Sequence, residues 1–172
     1  MRITFDLEQQ DIARFNEAME RVREFVRSAD ELDIIEAAKQ VLDGLPLAAC
    51  PSYVRKRLAQ IQRLIVMLED DEWTLGGEAR ADIVKGLVYF SDPDDLIPDG
   101  VRVIGLLDDA IMLELLLRRQ RHVLEAYDDF CAFRATLDAD AALAREERAR
   151  RLARRRAALH ARMRRRMART LF

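Results

Sequence analysis

The chain has 172 residues, of which 50% are apolar and 35% are charged, and its formal net charge is −2. This length is close to one domain on the soft prior of about 150 residues per domain. The composition excludes a disordered chain and a membrane-embedded bundle, and six glycines and four prolines are too few for the many turns of a β-sandwich or barrel.

Apolar side chains recur at spacings of three and four residues, which is the pattern of helices with one buried face. No alternation of period two is long enough to predict a strand. Six helices are predicted in chain order: from about Leu7 to Arg27, from a cap at Ser28 or Asp30 to Gly44, from Ser52 to Leu68, from Glu78 to Phe90, from Leu107 to Ala135, and from Ala139 to the end.

Glycine and proline mark the breaks between these helices. Gly44 and Pro46 end the second helix, and Asp70–Gly77 is predicted to be a loop. Pro93 and Pro98 break the chain within SDPDDLIPDG, because proline cannot occupy a helix interior. The sequence therefore predicts an all-α, single-domain bundle of five to six helices, with a Pro/Asp-rich elbow and a long basic C-terminal helix.

Charge is distributed unevenly along the chain. Residues 138–172 contain twelve arginines and four acidic residues, a net charge of +8, so residues 1–137 carry −10. We therefore divide the chain into a helical domain, residues 1–137, and an arginine-rich C-terminal helix, residues 138–172. Such an imbalance reflects an anionic partner for the basic part or contact between the two parts.

In the arginine-rich helix, apolar side chains fall in one narrow sector and most arginines point away from it. The sector holds Leu152, Leu159, Met163 and Met167, with Arg145 and Arg156 intruding. The arginines predicted to contact a partner are Arg151, Arg154, Arg155, Arg162, Arg165, Arg166 and Arg169.

Several partners fit this helix. A protein partner or self-association fits best. An anionic membrane surface and nucleic acid stay open, although the helix has no interleaved aromatic residues for base stacking and only Phe172 as a bulky anchor. The alternative is that the helix packs on the acidic part of its own chain or of a second subunit, or that its charged side is only a solvated face.

The segment from Tyr89 to Ala110, YFSDPDDLIPDGVRVIGLLDDA, resembles the signature of the YkvA-like family, small bacterial proteins built around a domain of unknown function. The motif region spans about residues 80–120. The resemblance implies a helical fold and no established activity. The matching positions that shape the elbow are Pro93, Leu96, Ile97, Pro98 and Gly105, and the matching acids are Asp95, Asp99, Asp108 and Asp109.

Those four aspartates are also the candidate metal ligands, because Mg²⁺ and Ca²⁺ prefer carboxylate oxygens. The alternatives are helix caps, turn geometry and docking of a partner. A hydrolytic site would use a metal-bound water, since no base or nucleophile is visible beside the aspartates.

No catalytic residue is predicted. The two histidines and two cysteines are scattered, and His122 and Cys131 lie nine residues apart on opposite sides of one predicted helix. The cysteine content suits the reducing cytoplasm, and no segment is apolar enough to span a membrane. The sequence favours a non-catalytic interaction or accessory module, cytoplasmic or peripheral to the membrane; the alternative is a metal-binding or metal-dependent hydrolytic protein centred on the aspartates.

Overall fold

A computed structural model describes residues 30–45, 52–91 and 114–170, together with Gln9, Ala13 and Glu17. All regular elements in these ranges are helices, which confirms the predicted all-α bundle. They are α1 (Glu31–Gly44), α2 (Ser52–Glu69), α3 (Gly77–Ser91), α4 (Arg121–Asp138) and α5 (Arg145–Thr170), with a further helical segment at residues 114–119.

Two predicted features lie outside these ranges. One is the first predicted helix, apart from its three isolated helical positions. The other is the Pro/Asp-rich elbow, with Pro93, Leu96, Ile97, Pro98 and Gly105.

The ends of α1 follow from its sequence. Asp30 is the N-cap, and its Oδ1 accepts a hydrogen bond from the backbone N–H of Leu32 at 3.0 Å. The choice left open between Ser28 and Asp30 is therefore settled for Asp30. The spacing of the apolar residues predicts a buried face made of Ile34, Ala37, Ala38, Val41 and Leu42. The prediction is wrong for Ala37, which is exposed, and Ile35 is buried instead.

The predicted fifth helix is not continuous. It breaks at Gln120, whose backbone lies at φ −91° and ψ 8°, and α4 begins at the next residue. Gln120 is fully buried, and the break contains neither glycine nor proline. The sequence pattern therefore predicted a continuous helix. The break directs Leu116 towards α3 while α4 packs along α5.

The last helix begins at Arg145 rather than at Ala139. Asp140 forms a turn before it, with Oδ1 accepting from the N–H of Ala142 at 3.1 Å and the carbonyl oxygen accepting from Leu143 at 3.1 Å. A short polar turn of this kind competes with the helix for the same backbone groups. Residues 139–144 therefore connect α4 to α5 as a loop.

All five helices contribute to one hydrophobic core. In α2 the residues Leu58, Ile61, Ile65 and Leu68, which are spaced three and four apart, are buried. The core also includes residues of α5, so the two parts of the chain on either side of residue 138 share apolar contacts. The predicted division of the chain into two parts at residue 138 stays a prediction. Within the described ranges, no helix has the length and apolar character needed to cross a membrane.

Gly86 of α3 sits against the segment before α4. A Cβ at this position would lie well inside van der Waals distance of the Leu116 side chain, which is 2% exposed. We expect Gly86→Ala to lower the free energy of unfolding by about 1 kcal/mol, because overpacking costs about 1–3 kcal/mol and outweighs a helix-propensity gain of about 1 kcal/mol. Urea titration measures it.

Gly44→Ala is the matched control, since nothing lies within 4 Å of a Cβ there. A Gly86→Ala protein at least as stable as Gly44→Ala would contradict the close contact.

Candidate functional site

Helix α5 has two faces. On the inner face Leu152, Leu159 and Met163 are buried, at 5%, 2% and 4% exposure, as their spacing predicted. This face packs on α4 and on residues 70–76, here called the Asp70 loop. The outer face, defined by Arg150, Arg151, Arg154, Arg164 and Arg165, is exposed.

The carboxylate of Asp70 joins α2 to α4. Its Oδ2 accepts hydrogen bonds from the Tyr127 hydroxyl at 2.9 Å and from Arg134 Nη1 at 2.8 Å. Its Oδ1 accepts from the backbone N–H groups of Glu72 at 3.0 Å and Trp73 at 3.1 Å. The Asp70 side chain is only 8% exposed, and burial with this hydrogen bond raises the pKa of Tyr127. One carboxylate therefore shapes the loop and holds the next helix against it.

Glu72 of the Asp70 loop binds arginine side chains of α5. Its carboxylate pairs with Arg148 Nη1 at 2.6 Å and with Arg134 Nη1 at 3.2 Å, and its backbone carbonyl accepts from Arg156 Nη1 at 2.9 Å. The hydrogen bond from Arg148 is the main cause that holds the pKa of Glu72 below its ordinary value. Arg156, which intruded into the apolar sector of the sequence pattern, therefore has a structural role.

Trp73 fills the space between the two C-terminal helices. It is fully buried, with ring centroids 5.6 Å from Tyr127, 5.1 Å from Phe130 and 4.4 Å from His160, the last in an edge-on arrangement. Burial lowers the pKa of His160, and the nearby guanidinium of Arg156 adds to the effect. His160 is therefore favoured in its neutral form where α5 meets the loop.

A second row of ion pairs follows the α4–α5 contact. Arg162 pairs with Asp129, and Arg166 Nη1 lies 2.9 Å from Glu125 Oε2. The hydrogen bond from Arg162 lowers the pKa of Asp129. These arginines lie on the flank of α5 beside α4, so part of the helix's positive charge is neutralised within the chain.

Four of the seven arginines predicted to contact a partner have contacts within their own chain. They are Arg162 with Asp129, Arg166 with Glu125, Arg155 over the ring of Phe133 at 5.4 Å, and Arg151 with Glu147 at 2.7 Å. The Arg151 contact lies within α5 itself, and the expected alternative, packing of the helix on its own chain, accounts for the other three.

Arg154 and Arg165 are exposed and form no ion pair with the residues that the structure describes; the side chain of Arg169 lies outside them. Partner contact by the predicted set stays a prediction. Sequence reasoning missed Arg148 and the Glu72 pairing. The sequence feature that could have indicated this pairing is the loop, in which three acidic residues precede the only tryptophan of the chain.

The outer face is cationic and free of bulky apolar side chains. Arg150 and Arg151 share Glu147, at 3.0 Å and 2.7 Å. Arg154, Arg164 and Arg165 have no ion-pair partner within the described part of the chain. Between the two arginine groups the helix carries small residues, namely Ala157, Ala158 and Ala161.

The predicted metal ligands, Asp95, Asp99, Asp108 and Asp109, all lie outside the described residues. Among the residues described, no group of His, Cys, Asp and Glu side chains could hold a metal ion. Binding of Mg²⁺ or Ca²⁺ by the aspartates stays a prediction. His122 and Cys131 both lie on α4, as the spacing argument assumed.

Residues 79–115 match the family described as Protein of unknown function (DUF1232). The match covers most of α3 and the Pro/Asp-rich segment, and confirms for that part of the chain the resemblance to a YkvA-like domain of unknown function. The α4–α5 hairpin lies beyond the matched residues. No curated protein and no solved structure matches the chain.

Removing the Asp70 carboxylate should loosen the hairpin. In Asp70→Ala, Tyr127 loses its acceptor and Arg134 keeps only its longer contact with Glu72, in a place that water reaches poorly. We expect a loss of about 3 kcal/mol in the free energy of unfolding, because breaking one partner out of a buried ion pair costs about that much. Urea unfolding followed by Trp73 fluorescence measures it.

Tyr127→Phe is the control and should cost about 1 kcal/mol, since it removes one hydrogen bond and leaves the ion pair. Equal stability of Asp70→Ala and Tyr127→Phe would refute the central role of the carboxylate.

The hairpin should also weaken in acid. His160 has a lowered pKa in the folded state, so its stabilising contribution is present above its ordinary value of 6.5 and is lost as pH falls. Glu72 and Asp129 also have lowered pKa values, so their contributions disappear at still lower pH, below about 4.5.

We expect the melting temperature to fall between about pH 7 and pH 5 in the wild-type chain, and to fall less in His160→Asn. A His160→Asn protein that loses as much over this interval as the wild type would show that His160 is not the group responsible.

Proposed function

We propose that the protein is a non-catalytic interaction module, in which the outer face of α5 binds an acidic surface of a protein partner. The observation that carries the proposal is that some arginines of α5 form ion pairs with the rest of the chain and others do not. Arg148, Arg162 and Arg166 pair with the loop or with α4. Arg154, Arg164 and Arg165, by contrast, project from a well-packed helix without ion pairs to the described residues.

The rigidity of α5 supports this role. The helix is held by its buried leucines and by the Glu72 contacts, so its outer arginines are presented on a fixed scaffold. Less conformational entropy is then lost when a partner binds than for a flexible basic tail. Guanidinium groups also form bidentate hydrogen bonds with carboxylates, which gives orientation as well as attraction.

The outer face suits a protein better than a membrane or a nucleic acid. Its central residues are Ala157, Ala158 and Ala161, which allow the backbone of a partner to approach closely. A helix that inserts into a bilayer surface uses bulky residues such as Trp, Phe and Leu on the side facing the lipid. A sequence-blind nucleic-acid binder commonly adds aromatic residues for stacking.

The rest of the predicted function is retained as a proposal. The Asp-rich helix junction is a second docking surface in this proposal, supported by the sequence motif alone. The cytoplasm is its proposed location, supported by the low cysteine content, with Cys131 present as a free thiol.

Binding of a fluorescent helical peptide rich in glutamate and alanine, measured by anisotropy, tests the proposal. The variant Arg154→Gln/Arg164→Gln/Arg165→Gln removes three exposed charges and keeps good helix formers. We expect its affinity to be at least about tenfold weaker than that of the wild type, with the difference shrinking at high salt.

The charge-preserving control is the corresponding triple lysine variant, which should retain most of the affinity. Vesicles of phosphatidylcholine with phosphatidylserine and a short DNA duplex serve as competing ligands. Equal peptide binding by the wild type and the glutamine variant would end the proposal, as would tighter binding of vesicles or DNA than of the peptide.

A further inference from the structure

The outward side of α1, at a different place on the bundle, is acidic. Asp33, Glu36 and Asp43 are all exposed there. Ala37 and Gln40, also exposed, lie between them. Asp33 and Asp43 form no ion pair with the described residues, and Glu36 lies 3.9 Å from Lys39, whose ammonium group is closer to Glu69 at 2.5 Å.

This face also exposes a large apolar side chain. Leu32 is 72% exposed, at the end of α1 that carries Asp33. Single exposed leucines are ordinary on protein surfaces, but this one lies within a set of acidic groups that α1 presents on one side. The outward side of α1, here called the acidic face, consists of Leu32, Asp33, Glu36, Ala37, Gln40 and Asp43.

The acidic face and the outer face of α5 match in spacing as well as in charge. At 1.5 Å per residue, Asp33 and Asp43 are about 15 Å apart along α1, and Arg154 and Arg165 are about 16.5 Å apart along α5. Both faces carry small or uncharged residues in the middle, with Ala37 and Gln40 on α1 and alanines on α5. Two helices laid side by side therefore place opposite charges together at both ends and small or uncharged side chains at their centre.

We infer that the acidic partner of α5 is a second copy of this chain, which presents its acidic face to the outer face of α5. The inference rests on the proposed function and names its partner. The inference also explains the charge imbalance of the chain. The ion pairs that hold α5 to its own loop and to α4 do not involve the acidic residues of α1, which are left to contact a second copy. The contact is rich in exposed charge, so self-association is expected to be salt-sensitive.

Sedimentation equilibrium of the full chain tests the inference. At about 50 mM NaCl the wild type should show a concentration-dependent mass above 19.9 kDa, and this should fall towards the single-chain mass at about 500 mM NaCl because of screening.

Two charge-reversal variants test the two sides of the contact separately. They are Glu36→Arg/Asp43→Arg on α1 and Arg154→Glu/Arg165→Glu on α5; Asp33 is kept because it stabilises the first turn of α1. Each variant alone should self-associate at least about tenfold more weakly than the wild type. An equimolar mixture should regain association, since each reversed face then meets a complementary one.

Glu36→Asp/Asp43→Glu and Arg154→Lys/Arg165→Lys are the charge-preserving controls, and circular dichroism confirms that all variants fold. A wild type that stays a single chain, an α1 reversal that associates like the wild type, or a mixture that fails to associate would overturn the inference.

The acidic peptide separates this result from the proposed function. If the α1 reversal binds the peptide like the wild type while the wild type does not self-associate, the basic face is functional and its partner is another protein. If the wild type fails to bind the peptide, the proposed function itself is wrong.

Discussion

The arrangement of the C-terminal half depends on one poorly solvated carboxylate. Asp70 directly follows α2, accepts hydrogen bonds from two backbone N–H groups of its own loop, and accepts from Tyr127 and Arg134 of α4. A carboxylate that is 8% exposed is costly without such partners. Because all four donors come from two different elements, satisfying the carboxylate fixes the loop and α4 relative to each other. Trp73 is thereby placed where α5 can cover it.

The attachment of α5 divides into two contributions of unequal size. Burying a leucine or methionine side chain contributes about 1.5–3 kcal/mol, whereas an exposed ion pair contributes about 0–1 kcal/mol. The apolar contacts of Leu152, Leu159 and Met163 therefore supply most of the stability of docking. These apolar contacts also fix the rotation of the helix about its axis, and the pairs of Arg148 with the loop and of Arg162 with α4 are made in that orientation. That rotation decides which arginines face outward.

The division between paired and exposed arginines links the fold to the proposed function. A helix with this many like charges repels itself unless acids lie nearby, and here the body of the chain supplies Glu72, Asp129 and Glu125. The remaining positive charge is concentrated on one side. A surface of this kind is stable as part of the folded chain and is also complementary to an acidic face, whether on a second copy or on another protein.

The sequence by itself determined the helical class, most helix positions, the apolar sector of α5, the cap at Asp30 as one of two choices, and the segregation of charge. These features depend on periodicity and on local hydrogen bonding, both of which are written in neighbouring residues. It missed the break at Gln120, because a fully buried glutamine carries no local stop signal. Tertiary structure alone decided that Asp70 and Glu72 would meet Arg134 and Arg148, since these partners are separated by more than sixty residues and only packing of the hairpin brings them together. For the same reason the sequence could predict a cationic helix, but only the folded chain decided which of its arginines remain exposed.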